Sequence, residues 1–169
     1  MTDTTATSAA ALQKEGWNPA SYAGKYLTFA LGSECYGVNI LKTREIIGVQ
    51  DITRVPDSLH FMRGVINLRG QVIAVIDLRL RFGMEAKEYT EETCIIIVER
   101  QDLLTGLLVD HVNEVSDFVP SDLEPPPKMG AASEENFIQA MGKTKSAVVM
   151  LLNSDLILRN ERMRLGTDY

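Results

Sequence analysis

The chain has 169 residues, 45% of them apolar and 24% charged, enough for one domain, or for two small ones sharing a core, without a metal or disulfide framework. Its net charge of −6, with no cluster of Lys and Arg, excludes the basic face that nucleic acid or an anionic membrane requires. Nothing resembling a signal peptide opens the sequence, no apolar run approaches the ~20 residues of a spanning helix, and the two isolated cysteines, Cys35 and Cys94, read as small core residues; together these predict a reduced, cytoplasmic protein.

Residues 1–24 are rich in Thr, Ser and Ala and lack a hydrophobic period, so they read as a flexible leader with a short helical stretch over Ala9–Lys14. Trp17 is expected to dock back on the domain. From Lys25 short strands follow. Tyr26–Leu31 and Tyr36–Ile40 flank Gly32–Ser33–Glu34 as a hairpin. Leu41–Ile47 is a helical turn running into a strand, and Ile52–Val55 is extended up to Pro56. A short helix is predicted at Ser58–Met62, with Asp57 or Ser58 as N-cap.

Val65–Leu68 and Val72–Ile76 form a second hairpin around Arg69–Gly70. Asp77 is placed to cap a helix over Leu78–Phe82 that ends at Gly83. After a charged loop at Met84–Glu92, Cys94–Val98 is apolar without alternation, which implies burial on both faces. Leu103–Val109 and Val112–Val119 continue as strands. A proline-rich stretch, Pro120–Met129, and a loop, Gly130–Glu135, lead to strands at Phe137–Met141 and Ala147–Leu152. Ser154 is expected to cap a last helix over Asp155–Met163, with Arg159, Arg162 and Arg164 near its C-terminal end, where cations suit the helix dipole.

The expectation is thus about ten short strands with little helix. Gly37, Glu45 and Pro56 recur as Gly106, Glu114 and Pro125, a spacing of 69. That faint repeat suggests two similar five-stranded barrels on one core, with a cleft between them for a partner.

Catalytic signals are sparse. His60 sits in an expected exposed turn, His111 lies between strands, and no G-x-S-x-G elbow occurs. Cys and His are scattered singly, which disfavours zinc or another metal. Gly142–Lys143–Thr144 resembles the end of a P-loop, but the first glycine is missing, so a β-turn is expected. Glu45, Asp77 and Asp110 are more simply an ion-pair member, a helix cap and a strand end than acid–base groups. A competent core without catalytic signals points to a binding module and to no cofactor.

One stretch adds more. Gly64–Val65–Ile66–Asn67–Leu68–Arg69–Gly70, followed by Val75–Ile76–Asp77–Leu78–Arg79, resembles the CheW family, the chemotaxis coupling proteins. Tyr36–Gly37–Val38, Ile40–Leu41–Lys42, Glu45–Ile46 and Gly106–Leu107–Leu108–Val109–Asp110 support the likeness by their order. The resemblance implies a mostly β fold of two SH3-like five-stranded barrels sharing a hydrophobic core, with short helices and a C-terminal helix. It covers 25–160, as intertwined halves near 25–90 and 93–152, leaving 161–169 as a tail.

The implied role is a non-catalytic adaptor between chemoreceptor tips and the regulatory domain of a histidine kinase, monomeric in isolation and recruited to membrane-associated arrays. A same-fold adaptor of a non-flagellar chemosensory pathway and a small β-barrel enzyme are the alternatives. By resemblance, the receptor-facing groove comprises Ile40, Thr43, Glu45, Asn67, Arg69, Cys94 and Val115. The kinase-facing surface comprises Ile52, Thr53 and Gly64, with Glu124 and Met129 as a second contact. Thr43 and Cys94 depart from the family's aliphatic residues, and Glu124 from a basic one. Arg69 is expected to form a buried or half-buried ion pair with Glu45. Gly64 is expected either to permit close backbone approach or to be a turn residue at a strand start.

Overall fold

The computed structural model describes residues 16–127 and 137–158. The helical stretch Ala9–Lys14, the loop Gly130–Glu135, Met129, the basic residues Arg159, Arg162 and Arg164, and the tail lie outside the described residues.

β1 (Gly24–Leu31) and β2 (Glu34–Asn39) form the first hairpin. A 3-10 turn, Ile40–Lys42, capped by the Asn39 side chain, leads to β3 (Thr43–Gly48). β4 (Met62–Leu68) and β5 (Gln71–Asp77) form the second hairpin, and α1 (Leu78–Arg81) follows. Then come β6 (Cys94–Arg100), β7 (Leu103–Val109), β8 (His111–Phe118), β9 (Leu123–Glu124), β10 (Ile138–Lys143), β11 (Val148–Leu152) and α2 (Ser154–Ile157). Among the described residues no helix is long and apolar enough to cross a membrane.

The strands make two sheets, ordered β8-β1-β2-β11-β10-β9 and β3-β6-β7-β5-β4. The expected count was about ten; the additional strand is β9, two residues long, in the proline-rich stretch. Neither sheet is one half of the chain, because β1 and β2 join the strands that follow β7, while β6 and β7 join β3–β5. The two orders are equivalent: replacing β8, β1, β2, β11 and β10 by β3, β6, β7, β5 and β4 converts one into the other. Each sheet is therefore the first hairpin of one half completed by strands of the other. Each hairpin is joined on one side by an antiparallel pair, β1–β8 or β6–β3, and on the other by a parallel pair, β2–β11 or β7–β5. Gly37 and Gly106, the glycines of the 69-residue spacing, sit at the parallel joins. A Cβ on Gly106 would lie 2.6 Å from Cγ2 of Ile95, and one on Gly37 would lie 3.1 Å from Leu151.

Side-chain alternation divides the core into three. Leu27, Phe29, Leu31 and Val38 meet Ile76, Ile96, Val98, Leu107 and Val109 between the sheets. The opposite faces carry separate clusters, Tyr26, Phe118, Leu123 and Leu151 in one sheet and Ile66, Ile73, Ile95 and Ile97 in the other. This is why Ile95–Val98 is wholly buried: each sheet curls around its own apolar interior while turning its other face to the shared core.

Asp110 lies where the chain crosses from β7 to β8, that is, from one sheet to the other. Its carboxylate accepts from Arg79 Nε at 2.7 Å, Arg79 Nη2 at 2.6 Å and the Gly32 amide at 2.7 Å. These bonds join α1, the β1–β2 turn and the crossover. The Arg79 hydrogen bonds, above all, hold the Asp110 carboxyl below its ordinary range. Asp77 caps α1 as expected, accepting from the Arg79 and Leu80 amides, and also accepts from Arg63 Nε at 3.0 Å. Gly83 follows with φ +80°.

Two local expectations fail. Ser58–Met62 is not a helix: Phe61 and Met62 are drawn into the ladder, with the Asp77 amide bonded to the Phe61 carbonyl and Met62 paired to Ile76. Asn153, not Ser154, caps the last helix, accepting from the Asp155 and Leu156 amides. Trp17 does dock: its indole donates to the Gln139 carbonyl at 3.2 Å and stacks on Tyr22.

Because Asp110 titrates lower when folded, its contribution is complete above the ordinary aspartate value of ~3.9 and disappears as pH falls through the depressed value. Asp110→Asn is expected to lower unfolding free energy by about 3 kcal/mol at pH 7 and to flatten the acid limb of stability, measured by urea unfolding across pH. Gly106→Ala should cost about 1–3 kcal/mol, because Ile95 is β-branched and has little room to turn; thermal unfolding would show it.

Candidate functional site

The β4–β5 hairpin turns through Arg69 (φ +51°) and Gly70 (φ +88°). Two successive positive φ values define the type I′ turn that matches strand twist. The Asn67 side chain accepts from the Gly70 amide at 2.7 Å, which fixes the turn from within. A non-glycine residue with positive φ is costly unless its surroundings hold it, and this bond does so. Arg69 is thereby turned across the end of the sheet, where its guanidinium pairs with the Glu45 carboxylate on β3.

β3 and β4 are the first and last strands of their sheet's order, so the Arg69–Glu45 pair spans the sheet's two edges. The Thr53–Val65 bridge ties the segment that follows β3 to β4, with both of its backbone bonds at 2.8 Å. The sheet therefore curls back on itself. In the other sheet, Phe118 on β8 lies against Gly142 on β10, where a Cβ would come within 2.6 Å of the ring.

The pair forms as expected, but it is not buried. The Arg69 side chain is 69% exposed and that of Glu45 33%. A solvated pair of this kind contributes little to stability, so it is better suited to presenting charge than to holding the fold.

Gly64 answers its two alternatives. It lies inside β4 and is buried, with φ +144°, and a Cβ there would sit 2.0 Å from the Thr53 carbonyl oxygen. The close approach is internal: the missing side chain makes room for the Ile52–Thr53 segment to bridge β4. Gly64 thus positions Ile52 and Thr53 and is itself covered.

The other expected residues distribute as follows. Ile40 opens the 3-10 turn and packs on the shared core. Thr43 starts β3, its hydroxyl donating to the Asn39 carbonyl at 3.2 Å. Cys94 starts β6 opposite Gly48, at the far end of β3 from Thr43. Val115, 49% exposed, is on β8 in the other sheet. Glu124 on β9 pairs with Lys143 at 2.6 Å. Met129 lies outside the described residues. The structure therefore brings together Glu45 with Arg69, and Ile52 and Thr53 with Gly64, while Val115 and Glu124 belong to the second sheet.

Sequence reasoning passed over three exposed apolar side chains: Leu41 (88%) in the 3-10 turn, Ile46 (43%) on β3 and Val72 (63%) on β5. Ile46 had a signal, since it occupies the position of Val115 in the 69-residue spacing. Cys35 and Cys94 are both free thiols on different sheets. Among the described residues no group of His, Cys, Asp and Glu is arranged to hold a metal.

Residues 25–162 match the family described as the CheW-like domain. The chain is 31% identical to the chemotaxis protein CheW of Klebsiella aerogenes over 141 residues, covering 83% of this chain and 85% of that one. It is 31% identical to the chemotaxis protein CheW of Bacillus subtilis, covering 81% and 88%. The crystal structure of the scaffolding protein TtCheW from Thermoanaerobacter tengcongensis superposes with a TM-score of 0.76 at 32% identity, covering 85% of this chain and 98% of that one.

Gly64→Val is expected to expel the Thr53 carbonyl from β4 and lower stability by at least about 2 kcal/mol, because backbone cannot yield as a side-chain tip does. Loss of hydrogen-exchange protection at the Thr53 and Val65 amides would report the opened bridge directly.

Proposed function

The chain belongs to the CheW-like domain family, and from that we propose that it couples the cytoplasmic tips of chemoreceptors to the regulatory domain of a chemotaxis histidine kinase. As a member of that family it is a scaffold protein of chemotaxis. The coupling role is an inference from how its residues are placed.

One observation carries it: β4 serves two neighbouring sites. Toward its start, Gly64 and Val65 hold Ile52 and Thr53, the proposed kinase-facing residues. At its end, Asn67 fixes the turn through the Gly70 amide and Arg69 in that turn reaches Glu45 on β3, the proposed receptor-facing side.

A receptor tip is a helical hairpin, and an amphipathic helix docks through apolar anchors flanked by charge. Ile46, next to Glu45 along β3, and Val72, paired with Asn67 across the hairpin, are exposed and supply such anchors. Ile40, Thr43, Cys94 and Val115 extend the proposed receptor-facing set. Glu124 and Met129 form the proposed second kinase contact, with Lys143 neutralising Glu124. We take 25–160 as the functional unit. Its place of work is the cytoplasmic face of receptor arrays, where weak contacts suffice because they are multivalent.

The test is titration of the full chain with a receptor signalling fragment and, separately, with the kinase regulatory domain. Arg69→Ala should weaken receptor binding at least fivefold, with kinase binding changed less and melting temperature unmoved. Failure of the unaltered chain to bind either partner overturns the proposal. Equal loss of both affinities with a lowered melting temperature would make Arg69 structural only.

A further inference from the structure

We propose that Trp17 is a positioning residue for β9: it clips residues 16–22 against the bulge of β10 and so holds the second kinase-facing contact in place for the kinase regulatory domain. The partner named here rests on the coupling role; the clip does not.

β9 is two residues long and pairs with Met141 and Gly142 of β10. So short a strand is marginal without further support. β10 is irregular just before it reaches β9. Ile138 pairs with Leu152 and Ala140 with Leu151, which makes Gln139 the extra residue of a bulge. The Gln139 carbonyl accepts from the Trp17 indole N–H at 3.2 Å.

Three further contacts close a ring around that bond. Gln139 Nε2 donates to the Tyr26 hydroxyl at 3.1 Å, and that hydroxyl donates to the Tyr22 carbonyl at 2.7 Å. The Tyr22 ring stacks on Trp17 with centroids 5.7 Å apart. Residues 16–22 contain a single 3-10 turn, Pro19–Ser21, capped by Asn18, so this ring is what fixes their place. A tryptophan suits the task because it joins a large apolar face to one directional donor.

The clip reaches β9 by two routes. The turn Pro19–Ser21 lies beside the turn Pro120–Asp122, which runs directly into Leu123 and Glu124. Trp17 and Tyr22 also pack on the buried cluster that holds Tyr26, Phe118 and Leu123. Leu123 thus anchors β9 from within while Glu124 faces solvent.

The other sheet repeats the plan. β4 has its bulge at Arg63, between Met62 and Gly64, and Tyr89, from the segment that leads into β6, stands 5.9 Å from the Arg63 guanidinium. Two residues on, Val65 bridges to Thr53, as Met141 pairs with Glu124. In each sheet an aromatic from the segment preceding β1 or β6 lies on a bulge next to a proposed kinase-facing residue.

Two variants of the full chain test this. Trp17→Ala removes donor and stack, whereas Trp17→Phe keeps the stack and removes the donor. In Trp17→Ala, hydrogen exchange at 123–124 and 141–142 should speed by about fivefold or more, with a smaller change in Trp17→Phe and none in the β4–β5 hairpin. Titration of Trp17→Ala should show affinity for the kinase regulatory domain weakened about fivefold and affinity for a receptor signalling fragment unchanged. Unmoved exchange at β9 overturns the clip. Faster exchange throughout both sheets, with both affinities lowered together, makes Trp17 a stability element and overturns the positioning role, as does faster exchange at β9 with unchanged kinase affinity. If the kinase domain does not bind the unaltered chain, the coupling role falls and takes the named partner with it, while exchange still decides the clip.

Discussion

The arrangement hangs on one carboxylate at a crossing. Asp110 sits where the chain leaves one sheet for the other, and it binds Arg79 from the far side of β5 and the Gly32 amide from the first hairpin. Because the two sheets exchange strands, neither can be assembled from consecutive segments. The crossings must therefore be held at defined angles, and apolar contacts, which are non-directional, cannot do this. A bidentate guanidinium–carboxylate pair with a third donor can. Its burial makes it exacting, since either partner alone would be an uncompensated charge.

A second constraint is steric. Parallel strands meet at Gly37 and Gly106, and a carbonyl occupies the place of a side chain at Gly64. In each case backbone or a branched methyl stands where Cβ would be. At Gly106 the crowding methyl belongs to Ile95 on the antiparallel neighbour β6, and at Gly37 to Leu151 on the parallel neighbour β11. Close approach at Gly64 attaches the irregular 49–61 segment to β4. The charged pair that β4 presents, Arg69 with Glu45, is by contrast exposed and thermodynamically minor. The buried Asp110–Arg79 pair and the exposed Arg69–Glu45 pair thus differ sharply in what they contribute to stability.

Much of this was legible residue by residue. Asp77 followed by Leu78 and ending at Gly83 announced a capped helical turn, and the structure has it. Cys94–Val98 announced a strand with two buried faces. The Asn67–Arg69–Gly70 run announced a hairpin, and Arg69 found Glu45. The failures are equally specific. Ser58–Met62 carries helix-start residues, yet Met62 pairs with Ile76 and Phe61 with Asp77, because ladder bonds between distant segments outweigh a local cap. β9 lay hidden among prolines because two residues give no period to read. Ile46 was passed over because an Ile-Ile pair in a strand looks like core whichever face it takes.

The sequence by itself determined the mostly β character, the turns and caps, and the resemblance that the family comparison established, since these depend on local residue chemistry and on motif order. Only the tertiary structure decided which strands belong to which sheet, that Gly64 yields to Thr53, and that the Arg69–Glu45 pair faces solvent. Strand exchange and burial depend on contacts between residues far apart in sequence, and a repeat of period 69 is the same whether its halves fold separately or interleave. The carboxylate at position 110 reads in the sequence as the end of a strand. Its role as the clasp between two sheets exists only once Gly32 and Arg79 have been brought to it.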